Sequence, residues 1–170
     1  LLTNENMTIG GSGNGTVLGT VGYSSGVHEW TIRWDAHGNG DPRLGVALAG
    51  CDLSRRLGND GKGWAFDVDK GGGFYLVSPK NPSNPSQGYN KTSRNSRHKA
   101  VVGQTLTMRL DCDQGRLSYL AANGSVIGNS SSGGVPTFTN IPRGVPVFPA
   151  FSTNGSTERF TLLRQSHSGG

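Results

Sequence analysis

The sequence predicts an all-β fold, specifically a two-sheet antiparallel β-sandwich. Short apolar runs alternate with polar residues at the two-residue period of half-buried strands, and no window shows the apolar stripe of a helix. Glycine makes up 28 of the 170 residues, well above its usual share of about 7%, and it supplies the positive φ angles of tight turns. Many short strands joined by such turns are typical of a sandwich.

The clearest predicted strand spans residues 27–34. Trp30, Ile32 and Trp34 alternate with polar residues there, so one face of the strand points toward a core. A hairpin turn is predicted at residues 113–115. The other predicted strands lie at residues 44–48, 64–68, 74–77, 106–110, 145–152 and 159–163, with one more that begins at Leu117.

Polar segments are predicted at both ends and in the middle of the chain. Residues 1–16 predict a flexible, Gly-rich lead-in or loop, residues 17–165 the sandwich domain, and residues 166–170 a tail. A long loop is predicted at about residues 78–99, where Asn-Pro pairs exclude a central strand. Loops of this length are usually functional or disordered.

The same loop carries the excess positive charge of the chain, whose formal net charge is +5. No Asp or Glu lies within it from residue 80 to residue 99, and its basic residues are Lys80, Lys91, Arg94, Arg97 and Lys99. A basic loop can contact phosphate or an acidic partner. Its one aromatic residue, Tyr89, provides no stacking platform for a nucleic-acid strand. The sequence therefore favours a solvated loop, with nucleic-acid contact as the alternative.

No constellation of residues for catalysis or metal binding stands out in the sequence. Residues 22–26 match the G-x-S-x-G pattern of a hydrolase nucleophile, but the helix that this chemistry needs does not follow. Asp111 and Asp113 begin like a calcium loop, yet its closing acidic residues are absent. The four histidines lack zinc-ligand spacing, and no strand bears paired carboxylates. We therefore predict a non-enzymatic protein without a metal or cofactor.

Two features bear on the cellular compartment. Cys51 and Cys112 could form one disulfide, but they are too few for the framework of a small secreted domain and favour reduced thiols in the cytoplasm or nucleus. No apolar run is long enough to cross a membrane. Six N-glycosylation motifs leave a secretory route open, at Asn6, Asn14, Asn90, Asn123, Asn129 and Asn154.

Five motifs, in order along the chain, resemble the SPRY domain family. They are residues 19–30, Arg43-Leu44-Gly45-Val46-Ala47, Leu57-Gly58 with Trp64-Ala65-Phe66-Asp67, residues 110–119, and Phe148-Pro149-Ala150. The resemblance implies a concanavalin-like β-sandwich whose loops bind a protein or peptide. It also implies a non-catalytic interaction module, such as a substrate recruiter for a ubiquitin ligase or a scaffold in a larger complex.

The resemblance further implies where a partner binds. In the SOCS-box members of the family, a peptide occupies a shallow pocket made by loops before the first core strand, after the Gly-Val-Ala strand and after the Pro-Ala strand. With the two arginines of the middle loop, the corresponding residues are Ile9, Gly11, Leu53, Arg55, Arg56, Thr153, Asn154 and Gly155.

This chain departs from those members at two positions. They carry Tyr where it has Leu53, and Trp-Gly where it has Asn154-Gly155, so the same peptide class is not implied. Arg55 and Arg56 instead favour an acidic partner. Carbohydrate binding is a further alternative because lectins share this architecture, although the three tryptophans lie at core-facing strand positions. The isolated domain is predicted to be monomeric.

Overall fold

The computed structural model describes residues 7–10, 13–36, 40–68, 74–81, 88–94, 101–127, 137–155 and 157–169. These described residues form eleven strands and no helix. The strands are β1 (Met7–Gly10), β2 (Gly15–Leu18), β3 (Val27–Ala36), β4 (Arg43–Leu48), β5 (Gly63–Val68), β6 (Phe74–Pro79), β7 (Tyr89–Arg94), β8 (Thr105–Asp111), β9 (Arg116–Ala121), β10 (Val147–Thr153) and β11 (Arg159–Ser168).

The strands form two sheets in which every neighbouring pair is antiparallel. The five-stranded sheet has the order β1-β11-β3-β8-β9, and the six-stranded sheet has the order β2-β10-β4-β5-β6-β7. This architecture confirms the predicted all-β, two-sheet antiparallel sandwich. Among the described residues, no helix has the length and apolar character needed to span a membrane.

The main core draws aromatic side chains from both sheets. Trp30 and Phe160 from the five-stranded sheet, and Trp64 and Phe151 from the six-stranded sheet, are fully buried in one cluster. Buried and less buried residues alternate along β3, as the two-residue period predicted. Each large aromatic side chain buries about 150–250 Å² of surface, so these residues dominate the stability of such a core.

A second, smaller apolar cluster lies on the outer face of the six-stranded sheet. Ala47, Ala65 and Ala150 are buried there with Leu57 and Val77. Because side chains alternate along a strand, these residues point away from the main core. The alanines are small enough for the β4–β5 connection to lie against the sheet, and Leu57 of that connection packs on them.

The structure corrects three predictions about the polar segments. Within the predicted lead-in of residues 1–16, Met7–Gly10 form β1 and Gly15 and Thr16 begin β2, because β1 pairs with β11 and β2 pairs with β10. Residues Tyr89–Arg94 form β7 inside the predicted 78–99 loop and pair with β6. The predicted tail is also a strand up to Ser168, since β11 continues along β3. These strands are short or polar, so their sequences lack the apolar alternation that marks the inner strands.

Candidate functional site

Three segments meet at one end of the sandwich: the β1–β2 region, the β4–β5 connection and the end of β10. The Thr16 amide donates to the Leu53 carbonyl oxygen at 2.9 Å, and the Thr16 hydroxyl donates to the Arg55 carbonyl oxygen at 2.6 Å. The Leu57 amide donates to the Ser152 hydroxyl at 3.1 Å. These bonds fasten the β4–β5 connection to β2 and to β10.

The first of two grooves at this end, which we call the apolar groove, has a volume of about 170 Å³. Ile9 and Phe151 are buried at its base, while Val17 and Leu53 are each 52% exposed at its rim. Ligand pockets for drug-sized molecules occupy about 300–1,000 Å³, so this groove suits one or two side chains. Its other lining residues are Gly10, Gly13, Asn14, Gly15, Thr16 and Thr153.

The second groove, which we call the arginine groove, has a volume of about 310 Å³. It is lined by Asn14, Ser54, Arg55, Arg56, Asn59 and Tyr89. Asn14 lines both grooves, so the two are adjacent. Apart from Asn14 and Tyr89, this groove is made entirely by the β4–β5 connection.

The two arginines of the arginine groove have different environments. The Arg55 side chain is 61% exposed, and its Nε lies 3.3 Å from Oδ2 of the exposed Asp52. The Arg56 side chain is only 14% exposed, and its Nη2 donates to Asp67 Oδ1 at 3.3 Å. Arg55 therefore presents the accessible positive charge, whereas the guanidinium of Arg56 is committed to a buried carboxylate.

The structure places the predicted binding residues in different parts of this end of the molecule. Ile9, Leu53 and Thr153 line the apolar groove, and Arg55 and Arg56 line the arginine groove. Asn154 and Gly155 line neither groove, and Gly11 lies outside the described residues. Sequence reasoning did not identify Asn14, Val17, Asn59, Tyr89 and Phe151, which also line the grooves.

A match to a protein-family model decides the family of this chain. The model of the SPRY domain matches residues 27–165, which is most of the sequence. The chain belongs to the SPRY domain family. The family resemblance of the five motifs is thereby confirmed, and membership fits a protein-interaction module.

Individual relatives agree with this assignment. The SPRY domain-containing SOCS box protein 2 of Mus musculus is 29% identical over 146 residues, which cover 80% of this SPRY domain and 48% of that protein. The E3 ubiquitin-protein ligase TRIM9 of Drosophila melanogaster is 28% identical over 152 residues, which cover 84% of this chain and 18% of that protein. The chain therefore spans about half or less of these relatives. The SPRY domain of human HERC1 has the same fold, with a TM-score of 0.61 at 18% identity, and the match covers 96% of this chain and 91% of that one.

A buried ion pair lies beneath the arginine groove of the SPRY domain. Arg43 Nε lies 2.9 Å from Asp67 Oδ2, and both side chains are at most 2% exposed. Burial lowers the pKa of the Arg43 guanidinium, although the neighbouring Asp67 carboxylate acts in the opposite direction. Both residues belong to strand motifs of the sequence, but only the register between β4 and β5 pairs them.

A histidine pair lies at the opposite end of the SPRY domain. His28 Nε2 lies 2.7 Å from the Ser25 carbonyl oxygen, so this nitrogen donates, and Nδ1 is the acceptor of the neutral ring. His167 Nδ1, at 3.1 Å, is then the donor to His28 Nδ1, and the ring of Tyr23 stacks on His167. Burial, followed by the nearby His28, lowers the pKa of His167. The sequence separation of 139 residues hid this pair from sequence reasoning.

The motifs that resemble catalytic or metal sites have structural roles. Residues 22–26 lead directly into β3, without the helix that a hydrolase nucleophile requires. Asp113 Oδ1 accepts the Gly26 amide at 3.1 Å, and Asp111 Oδ1 accepts the Gln114 amide at 2.8 Å. In the part of the chain that the structure describes, no three His, Cys, Asp or Glu residues cluster as metal ligands.

The two cysteines are free thiols. Cys112 is buried, and its Sγ donates to the Tyr23 carbonyl oxygen at 3.5 Å. Burial, together with Asp113 and Asp111, raises the pKa of Cys112 to about 11. A thiol with that pKa stays protonated at neutral pH, so Cys112 is a packing residue rather than a nucleophile.

The two alternative functions, carbohydrate binding and nucleic-acid binding, depend on surface tryptophans and on the basic segment. All three tryptophans, Trp30, Trp34 and Trp64, are at most 4% exposed, so none can stack on a sugar at the surface. The basic segment is described only in part. Lys80 is exposed, Lys91 and Arg94 belong to β7, and Arg97 and Lys99 lie outside the described residues.

Proposed function

We propose that this SPRY domain is a non-catalytic interaction module that binds an extended segment of a partner protein across its two grooves. The adjacency of the grooves carries the proposal. Because Asn14 lines both, one short segment would reach an apolar surface and a cation at the same time. Loops held at the end of a rigid sandwich are a common location for protein-binding surfaces.

The apolar groove would take one apolar side chain of the partner. Val17 and Leu53 are half exposed at its rim, and both would become buried on binding. Full burial of one aliphatic side chain contributes about 1.5–3 kcal/mol. This contact would supply most of the affinity, because the chain lacks the aromatic anchors that the SOCS-box members carry.

The arginine groove would take an acidic group of the partner. Arg55 is its exposed cation, and Asn59 has its side-chain oxygen bound to Arg43 Nη1 at 2.6 Å, which leaves the NH₂ group as a donor. A carboxylate that bridges Arg55 and Asn59 would be held by the charge of Arg55 and by a directional hydrogen bond from the Asn59 NH₂ group. Arg56 would contribute little to this contact, because its guanidinium is bound to Asp67.

The role of the module in the cell is proposed from its relatives. These relatives include a SOCS box protein and an E3 ubiquitin-protein ligase, and the chain spans only part of each. We accordingly propose an intracellular recruiting or scaffolding domain, monomeric in isolation, within a ubiquitin ligase or another larger complex.

The test is selection of peptides from a random display library on the immobilised domain, followed by fluorescence anisotropy with the recovered peptides. We expect sequences that pair an apolar residue with Asp or Glu. Leu53→Asp and Arg55→Glu should each weaken binding about tenfold or more, as loss of a central contact does. Arg116→Glu is the matched control, since Arg116 is exposed on β9 at the far end of the sandwich.

Three results would count against the proposal. Recovery of no peptide would refute a peptide-binding function, and equal losses for Arg116→Glu and Arg55→Glu would refute the arginine groove as the site. Binding on a glycan array, or to single-stranded nucleic acid with a steep salt dependence, would favour the alternatives instead.

A further inference from the structure

A chain of hydrogen bonds runs beneath the two grooves and links the segments that form them. It centres on Arg56, whose Nη2 donates to the Asp41 carbonyl oxygen and, at 3.3 Å, to Asp67 Oδ1. The Arg56 side chain lines the arginine groove, yet it is 86% buried by virtue of these contacts. One residue thus connects the surface of the groove with the interior.

One arm of the chain leads from Arg56 through Asp67 to the floor of the arginine groove. Asp67 Oδ2 accepts from Arg43 Nε at 2.9 Å. Arg43 Nη1 in turn donates to the Leu57 carbonyl oxygen at 2.7 Å and to Asn59 Oδ1 at 2.6 Å. Strands β4 and β5 therefore hold the β4–β5 connection at three successive points, Arg56, Leu57 and Asn59.

The other arm leads from Asp41 to the β10–β11 connection. The Asp41 amide donates to Asn154 Oδ1 at 2.9 Å, and the Asn154 amide donates to Glu158 Oε2 at 3.2 Å. The Glu158 side chain that accepts this bond is fully buried. Asn154 is thus bonded on both sides and lines neither groove.

Apolar packing alone leaves the β4–β5 connection weakly held. Leu57 is its buried apolar residue, whereas Leu53, Ser54 and Arg55 are exposed. Exposed segments with few apolar contacts open at a small free-energy cost. The position of the groove-lining residues therefore depends on the polar bonds beneath them.

We propose that these bonds form a polar relay that presets both grooves for binding, in which Asn154 is a positioning residue. The polar relay comprises Arg43, Asp67, Arg56, Asp41, Asn154 and Glu158. This inference rests on the proposed function. Segments that already have their bound shape lose less conformational entropy when a partner arrives, so a preset groove binds more tightly than a mobile one.

The first measurement is amide hydrogen exchange of the unliganded protein. Asn154→Ala removes the acceptor for the Asp41 amide. We expect Asn154→Ala to speed exchange about tenfold at Asp41 and also at Asn59, whose amide donates to the Arg56 carbonyl oxygen at 3.0 Å.

The matched control is Thr107→Ala. Thr107 Oγ1 lies 3.0 Å from Thr31 Oγ1 between β8 and β3, so this variant also loses one side-chain hydrogen bond, but in the other sheet. Exchange at Asp41 and Asn59 should stay at the wild-type rate in it. Urea unfolding of each variant identifies conditions in which it is fully folded, and exchange is measured under those conditions.

The second measurement is affinity for an acidic peptide selected on the wild-type domain. We expect Asn154→Ala to bind it about tenfold more weakly, and Thr107→Ala to bind it nearly as well as wild type. A direct contact between Asn154 and the peptide would also weaken binding. It would not speed exchange at Asn59 in the unliganded protein, so the two measurements together distinguish positioning from contact.

Each outcome decides one of the two proposals. Faster exchange at Asn59 with weaker binding supports the polar relay. Unchanged exchange at Asn59 in Asn154→Ala overturns it, whatever happens to affinity, and faster exchange with unchanged affinity overturns its role in binding. Failure of the wild-type domain to select any peptide instead refutes the proposed function, while the exchange result still shows whether the segments are coupled.

Discussion

Arg43 and Asp67 are direct cross-strand partners on β4 and β5, and their side chains meet at 2.9 Å with almost no exposure to solvent. They lie on the outer face of the six-stranded sheet, where a charged pair is normally solvated. The β4–β5 connection covers them, and Arg43 Nη1 donates to the Leu57 carbonyl oxygen of that connection. A buried pair is tolerated when such additional bonds satisfy its remaining donors.

Removing the charge of Asp67 should therefore destabilise the fold strongly. In Asp67→Asn, Arg43 stays buried without a compensating carboxylate, and loss of one partner of a buried pair costs about 3–5 kcal/mol. Urea unfolding followed by tryptophan fluorescence measures the free energy of unfolding. Arg109→Met is the control, because it breaks the more exposed pair with Glu29 at 3.6 Å and should cost less than about 1 kcal/mol. Equal losses in the two variants would contradict the structural role of Arg43–Asp67.

The fold was predictable from the sequence where a strand buries one face against the core. In β3 the apolar residues Trp30, Ile32 and Trp34 recur at every second position, and burial follows that pattern. Strands β1, β2 and β7 were missed because edge strands pair on one side and can remain polar. The Arg43–Asp67 pair was missed for a different reason, since it depends on the register between two strands and local patterns do not encode register.

The candidate site was predictable only in outline. The resemblance located Ile9, Leu53 and Thr153, which do line one groove. Two adjacent arginines look equivalent in a sequence, but Arg55 is 61% exposed and Arg56 only 14%. That difference arises from the buried carboxylate beneath Arg56, which only the tertiary structure reveals.

The hydroxyl of Tyr119 should contribute measurably to stability. It donates to the Leu44 carbonyl oxygen at 2.6 Å in the core, and its ring stacks on Phe66 with centroids 4.8 Å apart. Tyr119→Phe keeps the ring and removes one buried hydrogen bond, which leaves the carbonyl oxygen less satisfied at a cost of about 1–3 kcal/mol. Thermal unfolding by circular dichroism would detect this change, and a melting temperature equal to that of wild type would exclude it.

Gly45 should tolerate no side chain. A Cβ at this position would lie 1.9 Å from the Trp64 carbonyl oxygen of the paired strand, and a backbone atom cannot rotate away. We expect Gly45→Ala to lower the free energy of unfolding by about 1–3 kcal/mol or more, as overpacking does. Gly15→Ala is the control, since its nearest neighbour, the Leu53 carbonyl oxygen, lies at an ordinary 3.5 Å. Urea unfolding of the two variants side by side measures the difference.

The histidine pair predicts a stability that falls on mild acidification. The rings of His28 and His167 lie together in the fold, with their Nδ1 atoms 3.1 Å apart. Burial and the neighbouring His28 lower the pKa of His167 in the folded protein, so the unfolded chain binds the proton more readily. The contribution of His167 is therefore complete above the unfolded histidine pKa of about 6.5 and is lost as the pH falls through the folded pKa.

Urea unfolding between pH 7.5 and pH 5 measures this effect above the range in which most carboxylates titrate. The free energy of unfolding of the wild type should decrease toward pH 5, with the steepest change below about pH 6.5. His167→Gln removes the titrating ring and should flatten that slope while lowering stability at pH 7.5. An equal slope in the variant would show that another group is responsible. Because His167 pairs β11 with the start of β3, local opening should also increase there. The protection factors for hydrogen exchange at Ser166 and Ser168, which correct for the intrinsic rate at each pH, should fall in the same pH range, before the rest of the sheet opens.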